Sequence, residues 1–265
     1  MNYFDSHCHL HFPDFDPDRQ EVLFNCHNKG ISALCIPATK ASEWLSLLNY
    51  SVACKSSPVR QFLSLGLHPC FLNDHSLKQL ETLDSLLSTH RNKIVAIGET
   101  GLDFFNRSLS DYQRQFQQQL FTGQVRMACS HQLPMIIHAR KSHDQILKIL
   151  RRFQPERGGI IHGFSGSEQQ AYQYIDLNFK LGFGGVITYS RATKTRQLAS
   201  TLPLEQIVLE TDAPDMPLSG FQGQRNSPEQ IPVIANLLAK LRNEPVVQVA
   251  GVTFENCLKV FNLNG

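Results

Sequence analysis

The sequence predicts an α/β protein: a (β/α)₈ TIM-type barrel, one domain over residues 1–265. Three observations lead there. Short apolar runs rich in β-formers alternate with longer segments of helical period. Eight such runs fit within 265 residues, a length suited to one eight-fold barrel. The first run ends in a histidine pair, not in the glycine-rich phosphate turn that often follows the first strand of a doubly wound sheet.

The predicted strands are Tyr3–His9, Ala33–Ala38, Phe62–His68, Ile94–Gly98, Met135–His138, Gly159–His162, Lys180–Gly184 and Ile207–Glu210. Most have near-continuous apolar centres, as parallel strands covered on both faces require. Helical period predicts Asp18–Lys29, Ala41–Lys55, Leu77–His90 and Ser110–Gln132 between the first five strands. It then predicts Ser142–Phe153, Glu168–Leu177, Ala192–Leu202, Pro228–Leu241 and Val246–Phe261. Asp16 with Pro17, and Ser227 with Pro228, read as N-cap and first-turn pairs. The irregular stretch Ala213–Ser227 reads as an active-site loop.

A hydrophobic fraction of 42% supports a sizeable core, and a net charge of +2 names no partner. A protein that coats duplex DNA would be far more basic. Seven cysteines include no C-x-x-C pair, which argues for small buried hydrophobes in a reducing compartment and against a disulfide framework. The N-terminus shows no basic-then-apolar leader, and no apolar run nears the ~20 residues of a membrane span. A cytoplasmic protein is expected.

The chemistry concentrates at strand ends. Asp5-Ser-His7-Cys-His9 closes the first strand, and alternation puts His7 and His9 on one face. Glu99 follows Val-Ala-Ile-Gly, His138 closes Met-Ile-Ile, His162 closes Gly-Ile-Ile, and Asp212 follows Ile-Val-Leu-Glu-Thr. In a barrel such ends converge on one mouth. Four histidines and two carboxylates suit borderline divalent ions, Zn²⁺ or Mn²⁺, more than Mg²⁺. Six ligands exceed one tetrahedral zinc, so two cations ~3.5–4 Å apart are expected. Glu99 is the natural bridge, with His7, His9 and Asp212 on one ion and His138 and His162 on the other. Asp212 would also orient an attacking water and take its proton, and Asp5 would hydrogen-bond a ligand imidazole.

Further motifs run in order along the chain: FDSHCHL, LGLHP at Leu65–Pro69, IGETGLDF at Ile97–Phe104, IIHAR at Ile136–Arg140, IIHGFSG at Ile160–Gly166, LETDAP at Leu209–Pro214 and QRNSP at Gln224–Pro228. Together they resemble the TatD family of metal-dependent DNases, in the amidohydrolase superfamily, and within it the YjjV branch. The resemblance implies metal ligation at His7, His9, Glu99, His138, His162 and Asp212. It also implies DNA as the substrate, taken as single strands or 3′ ends. Two departures stand out: Cys70 follows His68-Pro69, and Gln222 and Gln224 occupy a loop that is commonly basic in relatives.

His68, Arg140 and Arg225 are the expected substrate contacts, with Arg140 and Arg225 as phosphate clamps. Gly163-Phe-Ser-Gly166 is a candidate anion nest, Arg191, Lys194 and Arg196 are further cations, and Phe104 and Phe105 are candidate stacking faces. A monomer is expected. Two other readings keep the same metal core: a small-molecule amidohydrolase or lactonase, and a catalytically weak scaffold.

Overall fold

The structure, a computed structural model, describes residues 1–53 and 57–263. Its strands are β1 (Tyr3–Asp5), β2 (Ile31–Pro37), β3 (Arg60–Leu65), β4 (Ile94–Asp103), β5 (Met135–Arg140), β6 (Gly159–His162), β7 (Phe179–Phe183) and β8 (Ile207–Leu209). The helices between and after them are α1 (Arg19–Asn28), α2 (Trp44–Ala53), α3 (Lys78–Thr89), α4 (Asp111–His131), α5 (His143–Phe153), α6 (Glu168–Ile175), α7 (Thr193–Thr201), α8 (Ile231–Arg242) and α9 (Val246–Phe261). The sheet order is β1-β2-β3-β4-β5-β6-β7-β8, the chain-order succession of a (β/α)₈ barrel. Parallel ladders join β1 to β2, β3 to β4, β4 to β5, β5 to β6 and β7 to β8.

The chain packs as two compact units. The first comprises residues 1–36, 52–62 and 181–265, and the second residues 37–51 and 63–180. In the first, the Phe4 ring lies 5.7, 6.1 and 5.8 Å from those of Phe62, Phe254 and Phe261, so α9 closes the core beside β1. In the second, Ile97 and Leu102 of β4, Ile136 and Ile137 of β5, and Phe121 and Val125 of α4 are all buried. Each such buried side chain contributes roughly 1.5–3 kcal/mol. Ser110 starts α4 as a capping box: its Oγ accepts Gln113 N at 3.2 Å while Gln113 Oε1 accepts Ser110 N at 2.9 Å.

Several boundaries differ from the sequence reading. β1 stops at Asp5 because the backbone then alternates partners: Ser6 N donates to Leu209 O at 2.9 Å and Cys8 N to Cys35 O at 3.1 Å. β4 runs five residues past Gly98, since its edge stays paired to β5 from Thr100↔Ile137 to Asp103↔Arg140. The Ala41–Lys55 helix is a 3-10 turn, Ala41–Glu43, leading into α2, and Lys55 lies outside the described residues. Asp16 does not cap α1. It ends a 3-10 turn, and its carboxylate accepts Arg19 Nη2 at 2.6 Å. Ser227 does cap, accepting Glu229 N at 3.3 Å ahead of a 3-10 turn and α8. Cys8, Cys26, Cys35 and Cys257 are buried, Cys129 is half-buried and Cys70 is exposed. Cys54 lies outside the described residues. No helix among the described residues is long and apolar enough to cross a membrane.

Candidate metal centre

In the first unit the ligands follow from Asp5. Its buried carboxylate accepts His7 N at 3.2 Å, Thr211 N at 3.0 Å and Thr211 Oγ1 at 2.6 Å. This corrects the expectation that Asp5 holds an imidazole. A carboxylate two residues ahead of an N–H is placed to accept it, as in an Asx turn. Asp5 therefore ties the backbone carrying His7 to the backbone carrying Asp212. Burial pushes its pKa up to about 8, against hydrogen bonds that favour the charged form. Thr211 Oγ1 in turn accepts Ala213 N at 3.2 Å, and between them Asp212 sits at φ 58°, a left-handed conformation uncommon outside glycine.

His7 Nε2 and His9 Nε2 face each other at 3.2 Å, and each lies 3.5 Å from Asp212 Oδ1. The His7 side chain is fully buried. Two neutral imidazoles so placed can share at most one proton between those nitrogens, whereas a cation accepts a lone pair from each. The donor set and its spacing, with all three ligand atoms within 4.8 Å, fit a divalent ion.

In the second unit, register positions the ligands. Gly101 of β4 pairs with His138 of β5, which pairs with His162 of β6. The two rings stack at 6.4 Å. Gly101, at φ 142°, has no Cβ to meet His138 O, which lets the strands close here. Glu99 is buried, and its Oε1 lies 3.3 Å from His138 Nδ1 and 3.0 Å from His68 Nε2. His68 was expected to touch substrate; the structure places its ring on Glu99. Burial opposes the charge on His138, but hydrogen bonds to Asp103 and Glu99 leave its pKa raised. Burial likewise pushes Asp103 up, and the His138 hydrogen bond with that to Phe105 N brings it down to about 2.

Asp103, Gln117 and Gln124 are not singled out in the sequence, and Cys70 stands there only as a departure after His68-Pro69. Asp103 Oδ2 lies 3.0 Å from His138 Nε2 and accepts from Cys70 Sγ at 3.4 Å. The ligand atoms of His68, Cys70 and His138 lie within 4.8 Å of one another. Gln117 and Gln124, seven apart on one face of α4, are both buried. Gln117 brackets Asp103, accepting its N–H at 2.9 Å and donating to its carbonyl at 3.1 Å. Gln124 accepts Leu67 N at 2.9 Å, just ahead of His68. The signal that could have marked the glutamines is their spacing, which puts them on the apolar stripe of Leu120, Phe121, Val125 and Ala128.

The expected substrate cations differ in their surroundings. Arg140 is exposed, its guanidinium 3.7 Å from the ring centre of Phe105, itself 52% exposed. Arg225 is engaged within the chain. Its Nη1 and Nη2 bind Asp18 at 2.8 and 2.6 Å, Nη1 donates to Asp14 O at 2.6 Å, and the group covers Phe15 at 4.5 Å. The fork matches the carboxylate, and the pairing holds Asp18 below the usual carboxylate range. Arg196 donates to Ile187 O at 2.7 Å, while Arg191 covers Tyr189. In the candidate nest Gly163 has φ 54°, Phe164 is buried and Ser167 caps α6.

A family model described as TatD related DNase matches residues 4–262. The chain belongs to the TatD-related DNase family. It is 42% identical to the uncharacterized metal-dependent hydrolase YjjV of Escherichia coli K12 over 98% of each chain. It is 37% identical to an uncharacterized metal-dependent hydrolase of Haemophilus influenzae, over 99% of this chain and 100% of the relative. The crystal structure of the E. coli TatD homologue YjjV superposes with a TM-score of 0.92 at 41% identity, covering 99% of this chain and 98% of that one. Within this family the chain is a metal-dependent hydrolase with a (β/α)₈ barrel fold.

Proposed function

We propose that the protein is a deoxyribonuclease that hydrolyses phosphodiester bonds in single-stranded DNA or at 3′ ends. The observation that carries this reading is the pairing of Arg140 with exposed Phe105, two residues along from His138 and Asp103. An aromatic face with a cation on it suits a base and its phosphate, and a small amide or lactone would need neither. His7, His9 and Asp212 would hold one divalent ion, and Glu99, His138 and His162 another, as Zn²⁺, Mn²⁺ or Mg²⁺. Bound there, such ions acidify a water and offset anionic charge on phosphoryl oxygen.

The chain's own groups do the rest. Asp212 orients the attacking water and accepts its proton. Arg140 binds the phosphate, Phe105 stacks a base, and Asp103 fixes the His138 ring. The test incubates metal-defined protein with end-labelled single- and double-stranded DNA and resolves products by length. Stepwise shortening of single strands from the 3′ end is expected. Intact DNA alongside turnover of an amide or lactone panel would overturn the reading.

A further inference from the structure

One imidazole of the second unit faces two ways. His138 Nδ1 lies 3.3 Å from Glu99 Oε1, and its Nε2 lies 3.0 Å from Asp103 Oδ2. That same Asp103 oxygen accepts from Cys70 Sγ at 3.4 Å. A sulfur, a carboxylate oxygen and a ring nitrogen therefore gather on the side of the ring away from Glu99. The segment that carries the sulfur is pinned, since Cys70 N donates to His68 Nδ1 at 3.2 Å and Phe71 N to His68 O at 3.2 Å.

A neutral imidazole has one lone pair in its plane and one N–H. With the lone pair on Nδ1, toward Glu99, the Nε2–H donates to Asp103, as an outer carboxylate orients a ligand histidine. With the lone pair on Nε2, the ring offers itself to the corner of Cys70 and Asp103. The two uses exclude each other.

We propose that Cys70, Asp103 and His138 Nε2 form an alternative site for a thiophilic divalent cation, and that filling it withdraws His138 from Glu99 and inhibits the enzyme. This rests on the metal-dependent reading above. Thiolate favours soft ions, whereas the imidazole–carboxylate sets serve borderline and harder ones. As the cation enters, the S–H bond breaks, a sulfur–cation bond forms and the thiol proton leaves to solvent, while the His138 proton passes through solvent from Nε2 to Nδ1 and frees the Nε2 lone pair. Otherwise the thiol donates its hydrogen to Asp103 Oδ2 at 3.4 Å. Hard ions therefore leave it as a hydrogen-bond donor.

The test titrates Mn²⁺-loaded protein with Cd²⁺ and follows three readouts: bound metal, sulfur-to-cadmium charge-transfer absorbance, and hydrolysis of a chromogenic phosphodiester. Wild type is compared with Cys70→Ser and Cys70→Ala. One equivalent of Cd²⁺ should raise the thiolate band in step with inhibition. Both variants should lose the band and need roughly 10–100-fold more Cd²⁺ for inhibition. Cd²⁺ binding without a thiolate band, or variants as sensitive as wild type, overturns this site and leaves the metal-dependent reading standing. Protein that retains neither Mn²⁺ nor Cd²⁺ overturns both.

Discussion

Asp5→Ala tests whether the His7–His9–Asp212 cluster is built by backbone tethering. Asp5 is fully buried and satisfies His7 N, Thr211 N and the Thr211 hydroxyl. Alanine leaves those donors facing apolar surroundings. The hydroxyl can rotate to another acceptor; the two peptide N–H groups cannot. At about 1–3 kcal/mol for each unsatisfied buried donor, the loss is about 2–6 kcal/mol. At about 2 °C per kcal/mol for a chain of this size, the unfolding temperature of metal-free protein should fall by roughly 4–12 °C. Metal affinity at the cluster should fall roughly 10–100-fold, as for other changes behind a ligand shell. Asp5→Asn keeps an oxygen for the two N–H groups and should fall between. Calorimetry on chelated protein and a metal titration read the two effects. An alanine variant that melts and binds metal like wild type would refute the tether.

Other expectations follow from named contacts. Asp212→Asn should keep its fold and at least one metal while losing about 10²–10⁴-fold in turnover, read as hydrolysis rate and metal content on one preparation. Arg140→Ala should raise KM for DNA with metal content unchanged, whereas Arg225→Ala, which removes the pair with Asp18, should lower stability by up to about 1 kcal/mol and leave KM alone. His143 is buried against Phe164 and Tyr174, and burial lowers its pKa from 6.5 to about 4. Above pH 6.5 both folded and unfolded forms are neutral there; below it the unfolded chain takes up a proton that the folded one refuses. Stability should therefore fall by about 3 kcal/mol between pH 6.5 and 4, and His143→Phe should flatten that part of a urea-unfolding profile.

What the sequence shows of this molecule depends on whether a residue's partner is local. His138 and His162 are legible because each closes a run of apolar β-formers, and parallel register then makes them neighbours. Asp103 is not, because it follows Glu-Thr-Gly-Leu, which lacks an apolar strand pattern. Only continued pairing with β5 keeps that segment in the sheet. Arg225 reads as a free cation in a loop, since nothing local reveals Asp18, 207 residues away. The left-handed Asp212 is similarly hidden: an aspartate before Ala-Pro carries no mark of its backbone angle.

Glutamine is a residue type usually found at the surface, and Gln117 and Gln124 lie instead on the buried face of α4 with Leu120, Phe121, Val125 and Ala128. Each brackets a peptide group next to a ligand cluster, Gln117 at Asp103 and Gln124 at Leu67 ahead of His68. Strand ends supply the ligands, but a strand end is where the ladder stops and backbone polar groups lose their sheet partners. In the second unit the helix that follows β4 supplies those partners from its side chains. A side-chain amide offers one acceptor and two donors, so a single glutamine can serve both the N–H and the C=O of one residue. Neither leucine nor glutamate could do this at a buried position: the first has no polar group, and the second, when ionised, has no donor and carries an unpaired charge. Two glutamines on the buried face of α4, among Leu120, Phe121, Val125 and Ala128, therefore set where Asp103 and His68 stand.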